Sequence, residues 1–541
     1  MPNKVQIKVP PLSGFDKSHQ NLLTGKVGTL TPLMVDELIP NSKVDLKVAL
    51  SVCLPPLASD TFMRCNYKVE AFFVPTRLLY GGFSDWLTGQ KSYNPNTQQL
   101  AYQDVGIPRL KLTASTYSTY CGAGSLMDYL GIRGSNFPSS VTDVPLNIFP
   151  VLAYHRIYDD WYRAPLVQTK VFNEPMWHGG SPNMRRLSTL PFMNFVKNDA
   201  QSGNFLLSDT FDDGHVFGNL RQRNFGYDYF SCAQPSAQLG SAKAVSLSWS
   251  SGATSTTMTI AALRAANSLQ QFAERNQLAG YRLQDYVKAN YGADLSTGVA
   301  QRAILLGSGE VTAYSKGIYQ TANFEDSSQT PSINNPMYGV TGAQFGSMEC
   351  NGEINLVSNF TAEEPGILMV IGSLVPKVTY ASGIDRIFKR YNAEGSQTDM
   401  ATPILQNVGN QPIYASELTG DLSSFITNQV FGYTDRYADF KYKLDALHGL
   451  VRDGQSLQAF ALQRTLTGTP TISSSFLQIP TNYLNGVAAV AGEIGLYGYW
   501  LDSFFRYRVA QPLAAYAIPS LQDPAYEHGK DVDVVVGGTR L

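Results

Sequence analysis

The sequence predicts a mainly β fold, in which one β-sandwich carries long insertions between its strands. Every second residue from Val44 to Val52 is valine or leucine, which is the period of a strand with one buried face. Strand-like patterns return after Glu310, beyond a central region of helical and loop-like sequence. The 46 glycines and 29 prolines are spread along the chain rather than gathered into linkers. These observations favour one domain with insertions over several linked domains.

The first strands are predicted after an N-terminal arm that covers residues 1–25. Residues 26–54 fit two strands, which are separated by the turn-forming sequence Ile-Pro-Asn-Ser at 39–42. A third strand is predicted at 67–74, and Pro75 ends it. Later strands are predicted at 311–319, 351–360, 366–380 and 497–518.

Two helical segments are predicted within a long insertion at residues 76–310. In the first, at 146–163, apolar residues recur at spacings of three and four and form one stripe. Asp143 or Asn147 is placed to cap its start. The second segment covers about 260–291.

The polar side of the first helix carries two pairs of opposite charge at a spacing of four residues. Arg156 precedes Asp160, and Asp159 precedes Arg163. Each such pair stabilises an isolated helix by only about 0.2–0.5 kcal/mol. We therefore expect the apolar stripe to hold this helix against the rest of the fold.

The charge of the chain argues against a protein that coats nucleic acid by itself. Charged residues make up 16% of the chain, and its formal net charge is -2. A chain without excess positive charge cannot neutralise a phosphate backbone, so any nucleic acid that it encloses needs a separate cation. Since soluble domains usually carry more charge, we expect much of this surface to be covered by partners.

The cysteines and the apolar segments indicate a soluble protein made in the cytoplasm. The five cysteines are widely separated and form no C-x-x-C pair, so neither a disulfide framework nor a zinc site is expected. Prolines near the N-terminus interrupt any signal-peptide core, and no apolar run reaches 18 residues. We expect no cofactor, no metal and no membrane span.

Motifs of enzymes are largely missing from the sequence. It contains no P-loop, no dinucleotide-binding fingerprint and no H-E-x-x-H, and GGSPN at 179–183 lacks the last glycine of a nucleophile elbow. We therefore predict a protein that is not an enzyme. A carbohydrate-binding or glycoside-hydrolysing β-sandwich is the alternative, because such a fold can place two carboxylates about 5–10 Å apart.

An acidic turn with Asp209, Asp212 and Asp213 resembles a calcium loop in composition. The spacing of an EF-hand is not met, because Phe211 occupies the third ligand position. A solvated acidic turn is the preferred interpretation, and a calcium site with carbonyl ligands is the alternative.

Two short segments combine cationic and aromatic residues, which is typical of sites for single-stranded nucleic acid. The first spans 221–225 and the second 505–508. Both segments also fit interface strands or turns. The candidate nucleic-acid-binding residues are Arg221, Arg223, Phe225, Arg506 and Arg508.

The segment 431–448 combines aromatic residues and both signs of charge in a strand-like pattern. Phe440, Tyr442 and Leu444 alternate with charged residues, which predicts a strand with one apolar face. Aromatic residues and arginine are enriched in the cores of protein interfaces, so we predict an assembly surface here. A half-buried strand is the alternative. The candidate interface residues are Phe431, Tyr433, Arg436, Tyr437 and Tyr442.

Six segments in order resemble those of the major capsid proteins of microviruses, and most of all those of the gokushovirus type. They span nearly the whole chain, and their order makes the likeness specific. The segments are FDKSH (15–19), FFVPTRLLY (72–80), LAYHRIYDDWYR (152–163), YDYFSCAQPSAQLG (227–240), LQQFAERNQLAGYRLQDYVKANYG (269–292) and FGYTDRYADFKYK (431–443).

This resemblance implies an eight-stranded antiparallel jelly roll with long loop and helix insertions, as a single domain over residues 1–541. It implies that many identical subunits form a small icosahedral shell around circular single-stranded DNA. Further implied partners are a small basic DNA-associated virion protein and a receptor on the host-cell surface. The virion would be assembled in the cytoplasm of a host bacterium.

One departure from the family concerns a loop. Gokushovirus-type capsid proteins usually carry a long insertion after the segment that matches 227–240, and this insertion projects from the shell. Only residues 241–261 separate that segment from the next helix here. We therefore predict a low or absent spike at this position.

Overall fold

Antiparallel β-strands form the centre of the protein, and helices and loops lie around them. The structure is a computed structural model that describes residues 4–9, 11–57, 61–80, 83–88, 91–94, 99–102, 109–132, 137, 144–171, 204–211, 213–237, 260–279, 283–294, 302–320, 344–390, 403–487, 498–513 and 530–535. The predicted short loop at 241–261 lies almost wholly outside the described residues, as do the GGSPN motif and Asp212.

The strands are numbered in chain order. They are β1 (Lys4–Val9), β2 (Ser13–Asp16), β3 (His19–Gly25), β4 (Thr31–Leu38), β5 (Lys43–Cys53), β6 (Cys65–Pro75), β7 (Lys91–Asn94), β8 (Gln99–Tyr102), β9 (Arg109–Leu112), β10 (Val144–Asn147), β11 (Asn204–Leu206), β12 (Ile304–Gln320), β13 (Gln344–Thr361), β14 (Gly366–Pro376), β15 (Gln411–Tyr414), β16 (Val430–Thr434), β17 (Tyr499–Gln511) and β18 (Lys530–Val535).

The α-helices are numbered in the same way, and a π-helical turn follows α4 at Tyr158–Tyr162. They are α1 (Phe83–Thr88), α2 (Ala114–Tyr120), α3 (Leu126–Tyr129), α4 (Phe149–Ile157), α5 (Ile260–Ala279), α6 (Leu283–Tyr291), α7 (Ser416–Thr419), α8 (Leu422–Ile426), α9 (Ala438–Lys441) and α10 (Ser474–Leu477). Short 3₁₀ helices occupy Thr76–Leu78, Arg386–Lys389, Pro403–Val408, Gly449–Val451, Gln458–Phe460 and Tyr483–Gly486.

The central sheet has two halves, which are joined where the long strands β12 and β13 pair with each other. In the first half, β17 lies between β5 and the pair β2 and β3, and β13 follows β5. In the second half the order is β12, β6, β14 and β4. Residues 304–313 of β12 pair with β6, whereas residues 314–320 pair with β13. The two halves are therefore joined by continuous strands.

An apolar core lies between the two halves. Tyr67 of β6 and Tyr499 of β17 meet edge to face with ring centroids 5.4 Å apart. The rings of Phe73 on β6 and Phe360 on β13 lie 5.2 Å apart. The predicted alternation in β5 is confirmed, because its valines and leucines from 44 to 52 are buried in this core. Burying each such side chain contributes about 1.5–3 kcal/mol, so this core is a main source of stability.

β14 is buried on both faces along its whole length, which explains why its sequence shows no alternation. One face contributes Leu368 and Val370 to the core between the halves. The other face contributes Met369 and Ile371 to a second core, which also contains Leu152 of α4. A layer of helix and loop therefore covers the outer face of the second half.

The predicted helix at 146–163 is confirmed in its main part, but it begins at Phe149. Leu146 belongs to β10, where it lies opposite Leu110 of β9. Asn147 supports the helix start, because the amide of Phe149 donates to its Oδ1 at 2.9 Å. The second helical segment is confirmed as α5 and α6, whose rings of Phe272 and Tyr286 lie 6.3 Å apart.

The two charge pairs of this helix form as predicted, and they lie in the interior of the protein. Arg156 Nε donates to Asp160 Oδ2 at 2.9 Å, and Arg163 Nε donates to Asp159 Oδ1 at 2.7 Å. All four side chains are buried to at least nine tenths. Asp160 also accepts from the amide of Ala303, so the pairs fasten the helix to a distant segment.

Part of the region predicted as an N-terminal arm belongs to the sheet. β2 and β3 both pair with β17, at residues 508–511 and 499–505 respectively. β1 pairs instead with β18 near the other end of the chain. Residues 13–25 therefore form an edge of the first half.

Candidate assembly and nucleic-acid surfaces

Arg221 lies in the interior of the subunit, with 3% of its surface exposed. Its Nε donates to His155 Nδ1 at 3.0 Å, and its Nη1 pairs with the carboxylate of Asp213. The guanidinium carbon lies 4.6 Å from the ring centroid of Tyr158. These contacts tie the 213–221 segment to α4 and to the π-helical turn that follows it.

Arg223 is also held inside the subunit by a carboxylate. Its Nη1 and Nη2 donate to the two carboxylate oxygens of Glu70 at 2.8 and 3.0 Å. Ser373 accepts a further hydrogen bond at 2.9 Å, and the guanidinium lies 5.0 Å from the ring centroid of Tyr162. This two-pronged pairing connects the segment to β6 and β14.

Phe225 is buried in the core between the two halves of the sheet. Its ring packs against Tyr483, with centroids 5.3 Å apart, and the guanidinium of Arg464 lies 4.7 Å from its centroid. The charges of the two arginines and the ring of Phe225 therefore make their contacts inside the protein. A surface for nucleic acid has to be sought among exposed residues.

Arg506 and Arg508 lie on the solvent-exposed outer face of β17. Arg506 donates to Glu353 at 2.9 Å, but both side chains are about half exposed, and such surface pairs contribute little. Arg508 lies opposite Asp16 and Asp45 in the strand register. Both arginines are therefore accessible to a partner.

Exposed apolar side chains share this outer face with the arginines. Trp500 is 46% exposed and Phe504 43% exposed on β17, and Leu22 on the adjacent β3 is 70% exposed. Lys47 of β5 lies directly opposite Arg506, where two like charges repel each other. We call this surface the β17 face; its apolar and cationic residues are Leu22, Lys47, Trp500, Phe504, Arg506 and Arg508, and Asp502 lies on the same face.

Trp500 and Phe504 are members of the β17 face that the sequence analysis missed. They occupy the same alternating positions as Arg506 and Arg508, so strict two-residue alternation through β17 would have placed all four on one face. The opposing Leu22 and Lys47 depend on strand pairing across the chain, for which no local signal exists.

The prediction of one continuous strand with alternating faces through 431–448 is wrong. β16 ends at Thr434, and Tyr437 then adopts a left-handed backbone conformation with φ of 62°. The short helix α9 follows at once, and residues 442–448 form no regular structure. The alternation of Phe440, Tyr442 and Leu444 therefore does not place them on one strand face.

The candidate interface residues divide between the interior and the surface. Phe431 is buried and packs against Phe476 with ring centroids 4.9 Å apart, and Tyr437 is also buried. The backbone of Tyr433 exchanges hydrogen bonds of 2.7 and 2.8 Å with Gln234. Arg436 is half-buried, with its guanidinium 5.5 Å from the ring centroid of Tyr437. Tyr442 alone of the five is strongly exposed, at 64%.

Three neighbouring segments, one of which carries Tyr442, bear exposed apolar residues. Arg390 pairs with Asp439, and Lys389 donates to the backbone of Phe425, so these segments lie side by side. Phe388 is 68% and Ile426 74% exposed. We call this surface the apolar patch, and its residues are Ile387, Phe388, Leu422, Ile426, Phe440 and Tyr442.

A buried charge cluster lies next to two of the segments that carry the apolar patch, at Arg386 and Asp439. Arg386 is 3% exposed and approaches the carboxylates of Glu417 and Asp439 at 3.4 and 4.0 Å. Tyr229 donates to Glu417 at 3.1 Å. Burial raises the pKa of Glu417 above its usual range, although Arg386 opposes this effect. The cluster links the 3₁₀ turn at Arg386 to α7 and α9.

Within the described part of the chain, no three or more His, Cys, Asp or Glu side chains are placed to hold a metal ion. In the acidic turn, Asp209 accepts from the amide of Leu206 at 2.8 Å. Asp213 accepts from the amide of His215 at 3.1 Å and pairs with Arg221. Among the helices that the structure describes, none has the length and apolar character needed to cross a membrane.

Known proteins resemble this chain along most of its length. The family model described as capsid protein (F protein) matches residues 4–250 and 183–521. Capsid protein VP1 of Chlamydia phage 1 is 24% identical, over 94% of this chain and 96% of that protein. Capsid protein VP1 of Bdellovibrio phage phiMH2K is 21% identical, over 94% of this chain and 95% of that protein. Capsid protein VP1 of Spiroplasma virus 4 is 24% identical, over 73% of this chain and 68% of that protein.

Proposed function

The chain belongs to the phage family described as capsid protein (F protein), and we propose on this premise that it is the major shell subunit of a small icosahedral virion. Many copies assemble into the shell, which encloses circular single-stranded DNA. The observation that carries this proposal is the extent of the likeness, because three phage capsid proteins align over 73–94% of the chain. The role is structural rather than enzymatic.

The strand order supports a jelly roll as the fold of this subunit. We count only the strands of the central sheet, in chain order, and treat β2 and β3 as one interrupted strand. The first half of the sheet then contains the first, eighth, third and sixth strands. The second half contains the second, seventh, fourth and fifth strands. This interleaving of early and late strands is that of two Greek keys folded into a double sheet.

We propose the apolar patch as a contact between neighbouring subunits. Its large side chains are exposed in the isolated subunit, and contiguous exposed apolar surface marks interaction sites. The rigid charge cluster next to it supports a preformed surface, which binds at a lower entropic cost than a mobile one. Because a closed shell repeats each contact by symmetry, a modest contact is multiplied many times.

We propose the β17 face as a surface for the packaged DNA. Arginine and lysine side chains match phosphates, and Trp500 and Phe504 offer rings on which bases can stack, worth about 1–3 kcal/mol per base. The near-neutral net charge of the chain supports a small basic virion protein as a further DNA partner. We further propose that the virion assembles in the cytoplasm of the host bacterium. It would then recognise a receptor on the surface of the host cell.

Sedimentation combined with nuclease protection tests the shell function. We expect the purified protein to sediment as closed particles that protect circular single-stranded DNA from added nuclease. A protein that stays a soluble monomer under all assembly conditions, or that binds carbohydrate without forming particles, would contradict the proposal.

A further inference from the structure

The loop at residues 449–460 exposes large apolar side chains from an ordered backbone. Leu450 is 56% and Leu457 41% exposed. Phe62, on a separate segment beside this loop, is 82% exposed. Compact surface loops usually pack their own apolar side chains inward, so side chains that face water here indicate a surface for a partner. The loop shares no residue with the apolar patch or the β17 face.

Backbone hydrogen bonds hold the three apolar residues on adjacent segments. The amide of Leu457 donates to the carbonyl of Leu450 at 3.0 Å, which closes the loop at its base. The amide of Phe62 donates to the carbonyl of Phe460 at 2.9 Å, and Thr61 Oγ1 donates to the same carbonyl at 3.1 Å. The surface is therefore preformed, which lowers the entropic cost of binding.

The tip of the loop places one cation next to one anion. The amide of Gln455 donates to the carbonyl of Arg452 at 3.1 Å, so residues 452–455 form a β-turn with Asp453 at its second position. Gly454 takes the third position with a left-handed φ of 76°. Arg452 and Asp453 are both exposed, and neither forms an ion pair with another residue in the described part of the chain.

This arrangement of charges indicates a second copy of the chain as the partner. A two-fold contact brings the same surface of two subunits together, so each residue of a contacting pair occurs on both sides. Arg452 of each copy then faces Asp453 of the other, and both charges are compensated. DNA or a basic protein would instead require an excess of one sign of charge, which this turn lacks.

We propose that the loop surface, formed by Phe62, Leu450, Arg452, Asp453 and Leu457, makes a two-fold contact with the same surface of a neighbouring subunit. The apolar side chains form its centre, and the two ion pairs set its register. This inference rests on the proposed shell function and adds a second contact to the apolar patch. A closed shell needs contacts of more than one kind, because a two-fold contact alone yields only a dimer.

Charge reversal tests the two-fold geometry. Arg452→Asp or Asp453→Arg alone places like charges opposite each other, so particle yield by sedimentation should fall at least about tenfold. The double variant should recover near wild-type yield, because it restores opposite charges at both positions. Co-expression of the two single variants should also recover particles, since each supplies the charge that the other lacks. A contact with any different surface would give neither recovery.

Lys288→Asp is the matched control for these variants. Lys288 forms an exposed ion pair with Asp294 of the same subunit at 2.9 Å, outside the loop surface. Reversal of its charge should leave particle yield close to that of the wild type. Circular dichroism checks that every variant is folded. Unchanged yield in both single variants of the loop, or no recovery in the double variant, would overturn the proposal.

Crosslinking measures the contact directly. Ser456→Cys, combined with Cys232→Ser, adds a thiol beside the turn and removes the exposed native thiol. A short bis-maleimide should link two such subunits into a covalent dimer within particles, whereas Cys232→Ser alone should stay monomeric. Absence of the dimer would overturn the contact. If the wild-type chain forms no particles, the shell function fails, and crosslinking of the concentrated subunit still decides the two-fold contact.

Discussion

At the scale of single residues, the buried cations of this protein are structural. Arg223 pairs with Glu70, Arg163 with Asp159 and Arg386 with Glu417, each with little exposure of either side chain. Removing one member of such a pair leaves a buried charge without compensation, which costs far more than the pair itself contributes. A cation beside an aromatic ring is therefore part of the interior of the protein at Arg221 and Arg223.

Arg223→Gln is expected to destabilise the subunit by about 3 kcal/mol or more, because Glu70 loses both of its hydrogen bonds to the guanidinium. Urea unfolding followed by circular dichroism measures the change. Arg506→Gln is the matched control, since its exposed pair with Glu353 contributes about 0–1 kcal/mol. Equal stability of the two variants would contradict the structural role of Arg223.

The stability of the subunit is expected to fall as the pH drops from about 6.5 towards 4. Burial, with a further contribution from the charge of Arg221, lowers the pKa of His215 from 6.5 to about 4 and holds that of His155 well below its usual value. In this pH range these two histidines bind protons in the unfolded chain but not in the folded chain, so protonation favours unfolding. Above about pH 6.5 this penalty is absent.

Urea midpoints measured at several pH values between about 4.5 and 7.5 test this effect. His215→Gln should flatten the pH dependence, because it removes one of the two titrating groups. His448→Gln, at an exposed position outside this cluster, is the control and should follow the wild type. A pH dependence that His215→Gln leaves unchanged would refute the assignment.

At the scale of secondary-structure elements, the local sequence predicts the features that are determined by contacts between residues close in the chain. The strict alternation of β5 is recognisable because burial on one face sets it. The apolar stripe predicted α4, but it did not show that this helix is buried on nearly all sides, His155 and Arg156 included. The break after β16 escaped prediction because a single left-handed residue, Tyr437, redirects the chain without any glycine or proline. The burial of Arg221 and Arg223 depends on Asp213 and on Glu70, which no local pattern connects to them.

The junction between β12 and β6 requires a glycine. The register shifts between Leu305 and Gly307, and a Cβ at Gly307 would overlap the carbonyl oxygen of Leu356 on β13. Gly307→Ala is therefore expected to lower the yield of soluble, folded subunit strongly. Gly122→Ala, where a Cβ meets nothing within 4 Å, serves as the control in the same expression assay. Equal yields would mean that the strands shift apart at little cost.

The β17 face is expected to act on packaging rather than on shell closure. Replacing both Arg506 and Arg508 by Gln removes two exposed cations without disturbing the buried side of β17. Encapsidated DNA, measured after nuclease treatment, should fall relative to the amount of shell protein. Lys377→Gln, at an exposed lysine of another segment, is the control. Unchanged DNA content in the double variant would assign the face to protein contacts.

At the scale of the whole molecule, assembly is expected to depend on the apolar patch. Ile426→Asp places a charge on a surface that we propose becomes dry between subunits, where a charge is costly to bury. The variant should fold, judged by circular dichroism, and should yield few or no particles by sedimentation. Tyr227→Asp, at a residue that is 93% exposed outside the patch, is the control. Normal particle yield from Ile426→Asp would contradict the proposed contact.

The position of β17 has a consequence for how the subunit is made. This strand lies between β3 and β5, which are synthesised first, yet it comes from residues 499–511 of a 541-residue chain. At about 5–20 residues per second, the ribosome takes tens of seconds to supply it. The first half of the sheet cannot close before then, so a nascent chain is not a competent building block. Synthesis of β17 thereby becomes a timing step that precedes growth of the particle.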